Sequence, residues 1–137
     1  MAFLYPGAGN HYPGMGEVLG AHFPDVPARQ DRENERLLDQ FAPARRSDLR
    51  GPTDPGREGN DALLAQVAHG ALVTDLLAAA GVRPRAAIGY SLGESAALFA
   101  LRAWRGRDEM LRRLESSPLF TRDLGGECRA ARALWKL

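Results

Sequence analysis

The sequence predicts an α/β fold in which a short parallel sheet is flanked by helices. Three observations carry this reading. Two apolar segments, Ala2-Phe3-Leu4-Tyr5 and Arg85-Ala86-Ala87-Ile88, have the length of buried strands, and each runs into a glycine-containing turn. Helical segments fill the chain between and after them, and the strongest is apolar on most of its faces. The 137 residues are 45% hydrophobic and 26% charged, which suits one domain with one core.

The elements follow in order. Ala2 to Tyr5 is a strand ended by Pro6-Gly7-Ala8-Gly9-Asn10. A helix starts near Met15 and stops before Pro24. Ala28 to Phe41 reads as a second helix, with Leu37, Leu38 and Phe41 at helical spacing and charges on the other faces. Pro43 to Asn60 is rich in proline and glycine and predicts a long, mobile surface loop. Asp61 to Ala80 follows as the main buried helix, with Asp61 as its cap and Gly81 as its stop. After the second strand, helices are predicted over Leu92–Ala103, Asp108–Ser116 and Glu127–Trp135, the last with Cys128, Ala131 and Leu134 on one side.

Composition narrows the function classes. The net charge is +1, and the arginines are scattered among acids, so no basic stripe invites nucleic acid or a membrane surface. No apolar run is expected to approach the roughly 20 residues that cross a bilayer. The start of the chain lacks the pattern of a signal peptide, and a single cysteine excludes an internal disulfide, so a cytoplasmic setting is expected. No cluster of Cys, His, Asp or Glu predicts a metal site, and no bound cofactor is expected.

Gly89-Tyr90-Ser91-Leu92-Gly93 fits G-x-S-x-G between a strand and an apolar helix, the context of a nucleophile elbow. The turn is so tight that its flanks must be small, hence Gly89 and Gly93. Ser91 stands at the tip as candidate nucleophile. The helix that follows leaves its first N–H groups unbonded, so the Leu92 N–H can meet a developing oxyanion. The glycines of Pro6-Gly7-Ala8-Gly9 let a backbone approach a ligand closely. Tyr12 stands where a dinucleotide loop needs its third glycine, which excludes that reading. Taken alone, the serine also suits an ordinary strand-to-helix turn.

Tyr5-Pro6-Gly7-Ala8-Gly9-Asn10-His11-Tyr12-Pro13-Gly14-Met15-Gly16 and Gly89-Tyr90-Ser91-Leu92-Gly93-Glu94-Ser95 together resemble the acyltransferase domains of fatty acid and polyketide synthases, the malonyl-CoA:acyl carrier protein transacylase family. In wording they are most similar to the domains of polyunsaturated fatty acid synthases. The resemblance covers residues 2 to about 116. It implies the large subdomain of that fold, a partial α/β-hydrolase-like core, with the small ferredoxin-like subdomain missing. It implies acyl transfer from acyl-CoA, as substrate, to an acyl carrier protein through an acyl ester of Ser91. The oxyanion donors would be the backbone N–H groups of Ala8 and Leu92. Gly7, Gly9, His11, Tyr90, Arg112 and Ser116 map onto the substrate site, and neighbouring synthase domains are implied as partners.

The sequence departs from that family in four places. Ala8 and His11 stand where the family has glutamines, and Tyr90 replaces the histidine before the nucleophile. Ser116 occupies the register of the arginine that pairs a malonyl carboxylate. Arg112 lies one turn earlier on the same face and Arg113 beside it, although both also suit a solvated helix face. The segment bearing the family's catalytic histidine has no counterpart here, which makes the chain resemble an N-terminal fragment with poor activity of its own.

The remaining candidates have structural readings. His69, near Gln66, Gly70 and Thr74, is expected to be a hydrogen-bonded core histidine rather than a substitute base. Glu94 sits in the first helical turn, where the dipole favours a carboxylate. Cys128 reads as a packing residue, and Trp104 and Trp135 as apolar anchors. A serine hydrolase shares the elbow and differs in its acceptor, water rather than a thiol. A catalytically inactive module that only docks a carrier protein or synthase domain is the third alternative.

Overall fold

The computed structural model describes residues 1–41, 55–124 and 127–136. Among them, strand β1 is Ala2–Tyr5, helix α1 Glu17–His22, helix α2 Asp25–Asp31 and helix α3 Pro55–Ala79. Strand β2 is Ala86–Gly89, followed by helix α4 Leu92–Ala100, helix α5 Arg107–Ser116, a π-helical turn at Leu119–Asp123 and helix α6 Arg129–Trp135. The two strands pair in parallel, with Ala2 opposite Ala86 and Tyr5 opposite Gly89. Their carboxyl ends therefore lie side by side, and the segments that leave them emerge at one edge.

Helix α3 is the centre of the core. Leu64, Val67, Ala68 and Leu72 on it are almost wholly buried. One side joins Tyr5 of β1 and Ala96, Ala97, Phe99 and Ala100 of α4, with Phe3, Ala87 and Leu92 packed against them. The other side meets Val26 of α2 and Phe41. Small residues make the α3–α4 contact close, because a Cβ on Gly70 would already touch Ala96 and the ring of Tyr5 at 3.4 Å. The Tyr5 hydroxyl shares a 2.8 Å hydrogen bond with Thr74 Oγ1, which satisfies the only polar atom of that buried ring.

Several expectations are corrected here. The strands are only half buried: Leu4 is 74% and Ile88 60% exposed, and they are direct partners on the sheet face turned away from α3. Side chains alternate across a strand, and packed helices cover one face of this sheet. The helix expected over Ala28–Phe41 is shorter. It ends at Asp31, and a few residues further on the Asp108 carboxylate takes the N–H groups of Glu35, Arg36 and Leu37 at 2.5–3.1 Å, which keeps that run out of a helix.

The main helix begins at Pro55 rather than at Asp61, so Asp61 is not its cap and the loop expected over 43–60 is shorter at its end. A proline suits the first helical position, where its missing N–H has no partner to lose. The rest of that loop, residues 43–54, lies outside the described residues. Helix α4 ends at Ala100 rather than Ala103, where Arg102 takes a positive φ of 60° and its guanidinium donates to the Ala100 carbonyl at 2.9 Å.

The expected absence of a bilayer-length run is also corrected. Gly59–Ala79, 21 residues, is long and apolar enough to cross a membrane by length and composition. In this fold it serves as the core helix, with β1, α2 and α4 against it. It carries Asp75, which pairs with Arg102 at 2.7 Å, and that arginine also reaches Glu33 at 2.9 Å.

At the carboxyl end, Cys128 is half-buried and donates to the Leu124 carbonyl, but α6 buries no residue, and Trp135 is exposed. The expected anchoring by Trp135 is therefore not seen. Trp104 does make a contact, edge-on to Phe99 with ring centroids 5.6 Å apart.

Asp108 yields a prediction. Burial alone would raise its pKa, but the three backbone donors and Arg36 outweigh it and hold the carboxyl below its ordinary 3.8. A depressed acid contributes stability above its unfolded pKa, and that contribution is lost as pH falls below about 3.8. Asp108→Ala is expected to destabilise the chain by about 1 kcal/mol at neutral pH. The deficit should shrink as urea melts are repeated at more acid pH.

Candidate active site

The site is assembled at the carboxyl ends of the two parallel strands, where an α/β sheet usually places its ligand. Tyr5 leads into Pro6-Gly7-Ala8-Gly9, and its register partner Gly89 leads into Tyr90-Ser91-Leu92. Residues some 80 positions apart in sequence thus become neighbours. The Tyr90 N–H continues the ladder by donating to the Tyr5 carbonyl at 3.1 Å.

Ser91 has φ 53° and ψ −119°. A non-glycine residue with such angles is strained, and the strain persists only where the surroundings impose it. Here they do. A Cβ on Gly89 would overlap the backbone of Gly93 and Glu94, and one on Gly93 would overlap the carbonyl of Tyr5. The Gly93 N–H donates to Tyr90 O at 2.8 Å and the Glu94 N–H to Ser91 O at 3.0 Å, which closes the turn into α4. Ser91 is exposed at the apex and makes no capping bond with its hydroxyl.

The first loop lies directly against this turn. A Cβ on Gly7 would come within 2.9 Å of the Tyr90 ring and 3.1 Å of the Tyr90 carbonyl. Gly9 adopts φ 93°, and nothing among the described residues lies near its Cβ position, so it is required for the turn rather than for closeness. Ala8 and Leu92 have no hydrogen bond from their N–H groups within the described protein. Gly7, Ala8, Gly9, Tyr90, Ser91 and Leu92 are therefore brought together at one edge, with Tyr90 78% exposed beside the serine.

Other sequence-predicted residues fall elsewhere. His11 is exposed on the far part of the first loop and makes no described side-chain hydrogen bond. Arg112 lies on the exposed face of α5, in a two-pronged pair with Glu109 at 2.7 and 2.8 Å, and Arg113 joins the same carboxylate. These guanidinium bonds pull the Glu109 carboxyl down to about 2. The Ser116 hydroxyl donates to the Arg113 carbonyl on the same helix. No described hydrogen bond or ion pair ties Arg112 or Ser116 to the elbow.

His69 differs from its expectation as a satisfied core histidine. Its Nδ1 is buried without a hydrogen-bond partner among the described residues. Burial lowers its pKa, so the ring is neutral at ordinary pH. A Cβ on Gly16 would approach that Nδ1 to 3.2 Å, which places His69 against the loop before α1. His22 Nδ1 lies 2.8 Å from the Val18 carbonyl. No histidine among the described residues hydrogen-bonds Ser91. No group of three or more His, Cys, Asp or Glu among them could hold a metal ion.

One pair of residues at this site was not singled out by the sequence. Gln66 of α3 donates through Nε2 to the carbonyls of Pro6, at 3.1 Å, and Gly7, at 2.5 Å, and accepts the Asn10 N–H at 3.3 Å. Asn10 Nδ2 also donates to Gly7 O at 2.8 Å. The available signal was spacing: Gln66 lies one turn before Gly70, on the face that meets β1.

Over 101 residues, 71% of its length, the chain is 35% identical to polyketide synthase GfsA of Streptomyces halstedii. The chain is related in sequence to a region of a polyketide synthase. It spans about 1% of the length of that protein. No protein-family model matches the chain, and no solved structure matches it.

Proposed function

We propose that this chain carries the nucleophile of an acyltransferase, of the acyl-CoA:acyl carrier protein type, serving polyketide or fatty acid synthesis. The observation that carries the proposal is Ser91, exposed at φ 53° and ψ −119° at the head of α4, with the Pro6–Gly9 turn against it. The relatedness to a polyketide synthase region supports the setting. In this reading the two strands and α3–α4 are part of an α/β-hydrolase-like core.

The chemistry is a double displacement. Ser91 Oγ attacks the thioester carbon of an acyl-CoA, the C–S bond breaks, and the serine proton ends on the departing thiol. The thiol of a carrier protein's phosphopantetheine arm then attacks the ester carbon, and Ser91 recovers its proton. The Ala8 and Leu92 N–H groups meet the charge on the carbonyl oxygen in both steps, aided by the positive end of α4. With no histidine bonded to it among the described residues, the Ser91 hydroxyl keeps ordinary reactivity, and acylation by this chain alone is slow. Arg112, held by Glu109, gives no support to a carboxylate-bearing acyl group over a plain one.

Intact mass spectrometry after incubation with acetyl-CoA, malonyl-CoA and longer acyl-CoAs tests the proposal. The expected result is a mass gain of one acyl group that is absent in Ser91→Ala. Transfer of that group to a carrier-protein thiol faster than to water separates acyl transfer from hydrolysis. No acyl-enzyme with any donor would refute the nucleophile, and many turnovers by the purified chain would refute the slow step.

A further inference from the structure

The Gly7 carbonyl accepts two hydrogen bonds, from Gln66 Nε2 and Asn10 Nδ2, while the Pro6 carbonyl accepts one more from Gln66. A trans peptide is planar, and its C=O and N–H point in opposite directions. Fixing the Gly7 carbonyl toward α3 therefore turns the Ala8 N–H away from that helix. Glycine at position 7 has wide freedom about its own bonds, so the Gly7–Ala8 peptide could otherwise rotate and present its carbonyl instead.

We infer that Gln66 is a positioning residue: its amide, with Asn10, locks the Gly7–Ala8 peptide so that the Ala8 N–H rather than the Gly7 carbonyl is presented at the elbow. The inference rests on the acyltransferase reading for its consequence, though the conformation itself does not. Gln66 is 6% exposed on a rigid core helix that also buries Tyr5, so it ties the loop to the same body that holds β1. Its amide is used as both donor and acceptor, since it also receives the Asn10 N–H. A carboxylate at this position keeps the acceptor and loses the donor. An apolar side chain loses both.

The test uses the full 137-residue chain. Amide resonances and hydrogen exchange of Ala8, Gly9 and Asn10 are recorded for wild type, Gln66→Glu and Asn10→Ala. Ser91 modification by a fluorophosphonate is timed in parallel. The expected result is displaced Ala8 and Gly9 resonances in Asn10→Ala and Gln66→Glu, with the residue-10 N–H still held by the acceptor at position 66 and α4 resonances unmoved. Phosphonylation of Ser91 in Gln66→Glu should fall about 10²-fold, the usual loss for one oxyanion donor. It should recover as pH drops and the introduced carboxyl gains a proton to donate, whereas wild type shows no such recovery.

Asn10 is exposed, so Asn10→Ala tests the lock even where the buried substitution unfolds the chain. Unchanged Ala8 resonances in both variants, or an undiminished phosphonylation rate in a folded Gln66→Glu, would overturn the inference. A wild-type Ser91 that never reacts would instead overturn the acyltransferase reading, and the resonances would still report on the lock.

Discussion

Gly93→Ala is expected to lose about 3 kcal/mol or more of folding stability, or to fail to fold. The added methyl would overlap the Tyr5 carbonyl and stand only 2.8 Å from the Pro6 carbonyl. Both are backbone atoms of the β1 exit, which cannot swing aside as a side chain can. Relief requires the head of α4 to move off the strand, and that would break the Tyr90-to-Tyr5 hydrogen bond that continues the sheet. Gly59→Ala is the matched control. Nothing among the described residues lies within 4 Å of its Cβ position, and alanine in a helix is preferred to glycine by roughly 1 kcal/mol. Urea denaturation of the two variants should therefore shift in opposite directions. A Gly93→Ala protein as stable as wild type would mean that α4 is not seated on β1.

Ser91→Gly should abolish acylation completely and yet stabilise the fold. A non-glycine residue in this region of φ and ψ costs on the order of 1–3 kcal/mol, and glycine tolerates it. Part of that gain is offset by the greater freedom of glycine in the unfolded chain, leaving about 1 kcal/mol. Ser91→Ala removes the hydroxyl but keeps the Cβ and the strain. The informative comparison is therefore between the two inactive variants: the glycine form should melt several degrees above the alanine form. Equal melting would show that Ser91 sits without strain, and the case for an imposed elbow would lapse.

The site was legible in the sequence to the extent that its chemistry lives in the backbone. Gly89, Ser91 and Gly93 mark a turn that tolerates few other residues, and the structure shows the contacts that exclude them. The strands, main helix and elbow helix were legible because apolar length and turn residues are local signals. What was not legible depended on partners distant in the chain. The run from Arg32 to Phe41 has helical spacing, but Asp108, some 70 residues later, captures its N–H groups and holds it out of a helix. Half-burial of the strands depends on which face the helices choose. Gln66 looked like one polar residue on an apolar helix until the Pro6 and Gly7 carbonyls arrived beside it. Arg112 had the right face for a substrate carboxylate, and Glu109 at i−3 claims it.

The parallel register of β1 and β2 also bears on how such a chain can change over generations. Because Tyr5 and Gly89 are opposite one another, the two loops meet only while both strands keep their lengths. Removal of one residue from either strand would slide one loop past the other and turn its side chains to the opposite face. Residues added to the long connection between α2 and α3 alter neither alignment. Length variation among descendants should therefore accumulate in that connection, while the two four-residue strands stay free of gaps.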